Sequence, residues 1–265
     1  MEKQNGYVAL LDVLGFTEIV SGEAQAEKLS QYVHSLEMVT NETDVDIVLF
    51  SDTIVMTSLG NTRESLLSIL QACSQSFGLL LSREIAVRGA VSYGSFIRHK
   101  SPKGVFLAGR AIIDAYRFQQ KQNWVGIMIA PTVLETQPDL GNLCNIPLTP
   151  RTTKEQIDDL SQRFEWAKFI QGCDGIPFRE SEQRYNGLAV VPTEDLMIDP
   201  DGILAYLKQA KTCLERLKSL APDPQSQRKY TETFEWLGVV RNRWSHVSND
   251  WNHHRPNDRP PKVGG

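Results

Sequence analysis

Two short apolar runs each carry one aspartate into a turn: Leu10-Leu11-Asp12-Val13-Leu14-Gly15-Phe16-Thr17 and Val48-Leu49-Phe50-Ser51-Asp52-Thr53-Ile54-Val55. A carboxylate that ends or interrupts a buried strand is costly unless something answers its charge. Two such carboxylates brought together suggest a divalent cation site. Gly15, just after the first run, lets backbone approach a phosphate closely. The pairing points to metal-assisted phosphoryl or nucleotidyl chemistry.

The rest of the pattern supplies a frame for these two acids. Residues 7–13 read as a buried strand, and 16–40 as one or two amphipathic helices broken near Ser21-Gly22. Residues 45–50 and 53–58 read as a hairpin with Ser51-Asp52 at its tip. Residues 63–81 are helical by period, with Asn61 or Thr62 as N-cap. Residues 85–97 read as a strand in which Gly89 and Gly94 mark bends or close approach, and His99 to Gly104 as a loop. A helix over 108–121, a strand over 124–130 and a short helix from Pro131 follow. That order predicts an α+β sheet with helices mainly on one face.

Beyond it, 137–185 is irregular, with a helix predicted across 153–170 and a strand over 186–192. Helices are predicted over 202–219 and 225–247. The second carries an apolar stripe of Tyr230, Phe234, Leu237, Val240 and Trp244, which suits a core or subunit contact better than a cofactor. The domain reading is 1–195 for the sheet domain, 196–250 for a C-terminal helical extension and 251–265 for a disordered tail.

Composition narrows the function class. The chain has 265 residues, 41% of them hydrophobic and 23% charged, as in an ordinary soluble globule. A net charge of −4 leaves no global positive field to draw it to nucleic acid or anionic lipid. Cys73, Cys144, Cys173 and Cys213 lie far apart, without metal-ligand spacing, and read as reduced thiols. No apolar run looks long enough to cross a bilayer, and the N-terminus lacks signal-peptide features. The expectation is a cytoplasmic protein with no nucleic-acid or membrane partner.

Four stretches, in order, resemble class III nucleotidyl cyclases. Asp12-Val13-Leu14-Gly15-Phe16-Thr17 resembles the family's first metal motif, and Phe50-Ser51-Asp52 its second. Val87-Arg88-Gly89-Ala90-Val91-Ser92-Tyr93-Gly94 resembles the next core strand. Gly109 to Arg117 resembles the following helix, in which a glycine precedes an arginine by eight residues. The likeness covers roughly the first half of the chain. It implies a ferredoxin-like cyclase sheet and two divalent cations, Mn²⁺ or Mg²⁺, on Asp12 and Asp52, with the Val13 backbone as a further ligand. Leu14, Gly15, Phe16, Thr17, Phe50 and Ser51 would contact nucleotide, and backbone N–H groups from Val13 to Thr17 would cradle phosphates. Arg117 would neutralise charge at the α-phosphate, supplied across a homodimer interface that holds the sites.

The departures are as informative. Adenylyl cyclases carry a purine-reading Lys where this chain has Val48 and a base-contacting Asp where it has Phe106. The family's helix Asn is Ile113, beside Asp114. With the metal residues kept and the purine-reading residues gone, the chain is similar to the bacterial Pycsar pyrimidine cyclases. That similarity implies UTP, or else CTP, as substrate, with Phe50 narrowing the base pocket. It also implies a separate effector that reads the cyclic product in anti-phage defence. A purine cyclase and a catalytically inactive nucleotide-binding regulator remain the alternatives.

Plain readings stand beside these. Asp12 alone is an N-cap, Asp52 a turn residue and Arg117 a helix-surface residue. Arg88 pairs with a carboxylate more readily than it reaches phosphate. Asp114 reads as a structural acceptor, and Lys100, Lys103, Arg241 and Arg243 as solvated. His246, His253 and His254 lack a further ligand.

Overall fold

The computed structural model describes residues 3–22, 24–58, 60–144, 163–179, 184–195 and 199–254. Its eight strands are β1 (Lys3–Val13), β2 (Val45–Phe50), β3 (Thr53–Ser58), β4 (Val87–Ser101), β5 (Gly104–Gly109), β6 (Gly126–Ile129), β7 (Ile170–Pro177) and β8 (Arg184–Val190). They form one mixed sheet in the order β2-β3-β1-β4-β6-β8-β7, with β5 paired to β4 off that path. Among the described residues only the β4–β6 pairing is parallel. Between them run α1 (Phe16–Ser21), α2 (Gln25–Glu42), α3 (Arg63–Ser82), α4 (Arg110–Lys121), α5 (Pro131–Thr136) and α6 (Leu140–Leu143), followed by α7 (Pro200–Leu220) and α8 (Pro224–His254).

The two faces of β1 show how the layers are divided. Tyr7, Ala9, Leu11 and Val13 point into the main core with Ile19, Leu36 and Leu70. Val8, one residue out of phase, instead packs with Phe96 and Ala111, so α4 covers the opposite face. The architecture is thus α+β with helices mainly on one face, as the element order predicts. Residues of α7 and α8, among them Ile203, Leu207, Trp236 and Trp244, belong to the same main core.

Helix α3 is long and apolar enough to cross a membrane by length and composition, which the sequence reading missed. It is 72% buried within the protein, where it serves as the central core helix. Thr62 caps it, accepting from the Ser65 N–H at 3.2 Å.

Three expectations need correction. His99 to Gly104 is no loop: β4 runs on to Ser101 and turns tightly into β5, with Lys100 opposite Val105. A projecting hairpin satisfies its backbone without burying side chains, so its polar sequence reads as loop. Ile170, placed in a helix, instead begins β7; residues 163–167 are helical, and 153–162 lie outside the described residues. β7 (IQGCDGIP) escapes a pattern search because two glycines, an aspartate and a proline interrupt it, all tolerable on an edge strand. Finally, α8 continues through His254, past the expected start of the tail, whose residues 255–265 lie outside the described residues.

Candidate active site

The site forms where β1 ends. Asp12 has the parity of Val8, so its side chain leaves the main core and emerges on the α4 face. In register it stands between Thr53 on β3 and Arg88 on β4. Arg88 Nη2 donates to Asp12 Oδ2 at 2.7 Å, and Gln119 Nε2 on α4 donates to the same oxygen at 3.2 Å. The pair is enclosed: the Arg88 side chain is 4% exposed and that of Asp12 24%. This bears out Arg88 as a carboxylate partner.

Asp52 arrives by a different route. β2 and β3 are joined by the two-residue turn Ser51-Asp52, and Ser51 takes φ 56°. Tight hairpin turns require positive φ at such positions, usually on glycine or asparagine. The Val13 N–H donates to the Asp52 carbonyl at 2.8 Å, tying the hairpin tip to the end of β1. The Tyr32 hydroxyl donates to the Ser51 carbonyl at 3.5 Å from α2. The two aspartates therefore share one end of the sheet.

Electrostatics record their proximity. Burial first, then the Asp52 charge, pushes the Asp12 carboxyl above the ordinary carboxylate range. Arg179, Gln119 and Lys229 pull against that rise. Burial and then Asp52 likewise raise the Tyr32 phenol. Two neighbouring acids of which one is disfavoured as an anion make a place where added positive charge stabilises the fold.

The donor set fits a hard divalent cation only in part. Among the described residues no three His, Cys, Asp or Glu side chains cluster. Asp12 Oδ2 is committed to Arg88 and Gln119, while the Asp12 carboxyl as a whole feels the charge of Asp52. Two carboxylates completed by backbone, water and phosphate oxygens is the Mg²⁺ manner of binding, so the residues suffice once a phosphate ligand is present.

The loop after β1 narrows the expected phosphate cradle. The Val13 N–H is spent on Asp52, and the Leu14 N–H donates to the Ala86 carbonyl at 2.8 Å. Gly15, at φ 71°, turns the chain into α1 without a capping side chain. The N–H groups of Gly15, Phe16 and Thr17 are left at the helix start, where no intrahelical acceptor exists.

Arg117 is not brought to the acids. α4 buries Ala111, Ala115, Phe118 and Gln119, while Arg117 lies on the exposed side with Ile113 and Tyr116. Phe50 and Phe106 are also open, at 79% and 59% exposure. Any pocket that Phe50 narrows therefore needs a second surface against it. Asp114 accepts from Arg110 Nε at 2.7 Å, the structural role read for it.

Sequence reasoning missed three groups. Gln119 lies one helical turn past Ala115 on the buried face of α4, and helical spacing alone could have found it. Arg179 follows β7; its Nε donates at 3.2 Å to the Gln122 carbonyl, which Arg88 Nη1 also approaches at 3.4 Å. Lys229 comes from α8. Burial first, then Arg179, lowers its affinity for a proton, while Asp223 and Asp12 raise it. No local signal places either cation beside a residue more than a hundred positions earlier.

No protein-family model and no curated protein matches the chain. Solved structures similar to it are nucleotidyl cyclase domains. The dimeric guanylyl cyclase domain of the RhoGC fusion protein from the aquatic fungus Blastocladiella emersonii is 13% identical, the match covering 51% of this chain and 84% of that one, with a TM-score of 0.45. The catalytic core of a rhodopsin-guanylyl cyclase with converted specificity, in complex with ATPαS, is 12% identical over 72% and 99%, TM-score 0.48. The adenylyl cyclase CyaB from P. aeruginosa is 14% identical over 73% and 97%, TM-score 0.43.

Proposed function

We propose that the protein is a pyrimidine nucleotide cyclase, converting UTP to 3′,5′-cyclic UMP and pyrophosphate, with CTP as the alternative substrate. One observation carries the reading: β1 and the β2–β3 hairpin deliver Asp12 and Asp52 to the same sheet end, joined by the Val13–Asp52 backbone bond. The four ordered cyclase-like motifs support it. The replacements at Val48 and Phe106 favour a pyrimidine over a purine.

In this reading the 3′-oxygen of the ribose bonds to the α-phosphorus, the bond from that phosphorus to the bridging α–β oxygen breaks, and pyrophosphate leaves. The 3′-hydroxyl proton passes to water. Asp12 and Asp52 would hold the divalent cations, Mn²⁺ or Mg²⁺. Cation bound there supplies Lewis-acid activation of the hydroxyl and neutralises the leaving group. Gly15, Phe16 and Thr17 N–H groups orient the phosphates, while Arg88 and Gln119 fix the Asp12 carboxylate. Arg117 of a second copy stabilises charge at the α-phosphate, which makes the working unit a homodimer with shared sites. Residues 1–195 form the catalytic unit and 196–250 its helical extension. The product signals to a separate effector in anti-phage defence, and the protein acts in the cytoplasm.

The test is incubation of the purified chain with each ribonucleoside triphosphate and Mn²⁺, with mass spectrometry of the products. Cyclic UMP or cyclic CMP is expected. A purine product, or none, overturns the pyrimidine assignment. A second reading, a binding-only regulator, is favoured by the Arg88 guanidinium already seated on Asp12. It predicts nucleotide binding without any cyclic product.

A further inference from the structure

The start of α8 stands at the acid end of the sheet. Thr233 Oγ1 accepts from the Val125 N–H at 3.1 Å and donates to the Val125 carbonyl. Val125 precedes Gly126, which is in register with Arg88, the partner of Asp12. These bonds pin the helix beside the strand end that carries the acids. Lys229 is one turn earlier, its carbonyl 3.1 Å from Thr233 Oγ1. Its neighbour Tyr230 packs on the core and feels the charge of Glu18 on α1, the helix that follows the phosphate loop.

Charge pairing separates Lys229 from the cations around it. Arg184 and Arg228 share the carboxylate of Glu232. Lys229 and Arg179 make no salt bridge among the described residues, although Lys229 is half-buried. A partly buried ammonium is costly without an anion to answer it. Asp12 Oδ2 is already committed to Arg88 and Gln119. Asp223, the other acid within its field, accepts from the Ser226 N–H at 2.9 Å and the Ser226 hydroxyl at 2.7 Å. Arg88, Arg179 and Lys229 are matched in number by Asp12, Asp52 and Asp223, and a divalent cation tips this end of the sheet to an excess of positive charge. A polyphosphate is the ligand class that balances such an excess.

We propose that Lys229 binds the triphosphate of the substrate, and that α8, a helix beyond the cyclase-like motifs, forms a wall of the active site. This rests on the nucleotidyl reading above. The test is calorimetric titration of the full chain with inorganic triphosphate in the presence of Mn²⁺, which needs neither turnover nor a base. Wild type is expected to bind. Lys229→Gln is expected to bind at least about tenfold more weakly, Lys229→Arg to recover most of the affinity, and Arg241→Gln, a charge loss on the exposed side of the same helix, to bind as wild type. Equal affinity in Lys229→Gln and Arg241→Gln overturns the role of Lys229 and leaves the nucleotidyl reading standing. A wild-type chain that binds no triphosphate overturns both. If Lys229→Gln does not fold, acetylation footprinting of the wild-type chain decides. Triphosphate with Mn²⁺ is expected to shield Lys229, and labelling that is equal with and without it overturns the proposal.

Discussion

The end of β1 and the exposed side of α4 belong to the same reading of the sequence, yet they are built to different degrees of completion. At the end of β1 both acids have partners from the same chain: Asp12 holds Arg88 and Gln119, and Asp52 is tied through its carbonyl to Val13. On α4, Arg117 has no partner among the described residues, Ile113 and Tyr116 are exposed on the same helix, and Phe106 on β5 and Phe50 on β2 are exposed as well. The acid pair is thus assembled within one chain, whereas Arg117 is left on its surface. The contrast teaches that the acid pair is a matter of folding, whereas Arg117 becomes part of any site only through association.

That comparison can be broken at its strongest point first. Asp52→Asn should lower pyrophosphate release with Mn²⁺ by at least about a hundredfold, because it removes a ligand charge from the acid pair. Circular dichroism should show an unchanged fold; near-normal turnover would take Asp52 out of the site. The next effect is on stability. Asp12→Ala leaves Arg88 buried without its counter-charge and should cost about 3 kcal/mol in urea unfolding. Asp52→Ala, which breaks no ion pair, should cost much less. Equal losses would mean that Asp12 is not the structural member of the pair.

The Arg117 side of the comparison is sharpened by mixing. Asp52→Asn and Arg117→Ala proteins, each inactive alone, should recover about a quarter of wild-type activity when exchanged at equal amounts. Half of the dimers would be mixed, each with one intact site. No recovery despite demonstrated subunit exchange would return Arg117 to the solvated surface. The smallest effect lies at the hairpin tip. Ser51→Gly should relieve the positive φ and stabilise the chain by about 0.5–1 kcal/mol, seen as a rise in Tm of a few degrees. A fall would show that the Ser51 side chain matters more than its backbone.

Much of this was legible along the chain wherever a local signal exists. The β2–β3 hairpin falls on the expected residues because apolar runs flank a two-residue polar turn. α3 begins after Thr62 because its hydroxyl answers an N–H that the helix cannot. β5 and β7 were not legible, since their stability lies in backbone pairing with partners the local pattern does not name. The phosphate loop was half legible: Gly15 marks the turn, but only folding shows that Ala86 and Asp52 take two of its N–H groups.

By itself, then, the sequence determined which residues could carry the chemistry: two aspartates in turns, a glycine after the first, an arginine on a helix. Periodicity and turn preference act over a few residues, and those features lie within that reach. Tertiary structure decided what surrounds them. Arg88 sits on Asp12 through sheet register, Gln119 through the packing of α4, and Lys229 comes within the field of Asp12 because Thr233 anchors α8 at Val125. Those neighbours are set by strand pairing and by helix docking across the chain, and no short-range rule of the sequence specifies either.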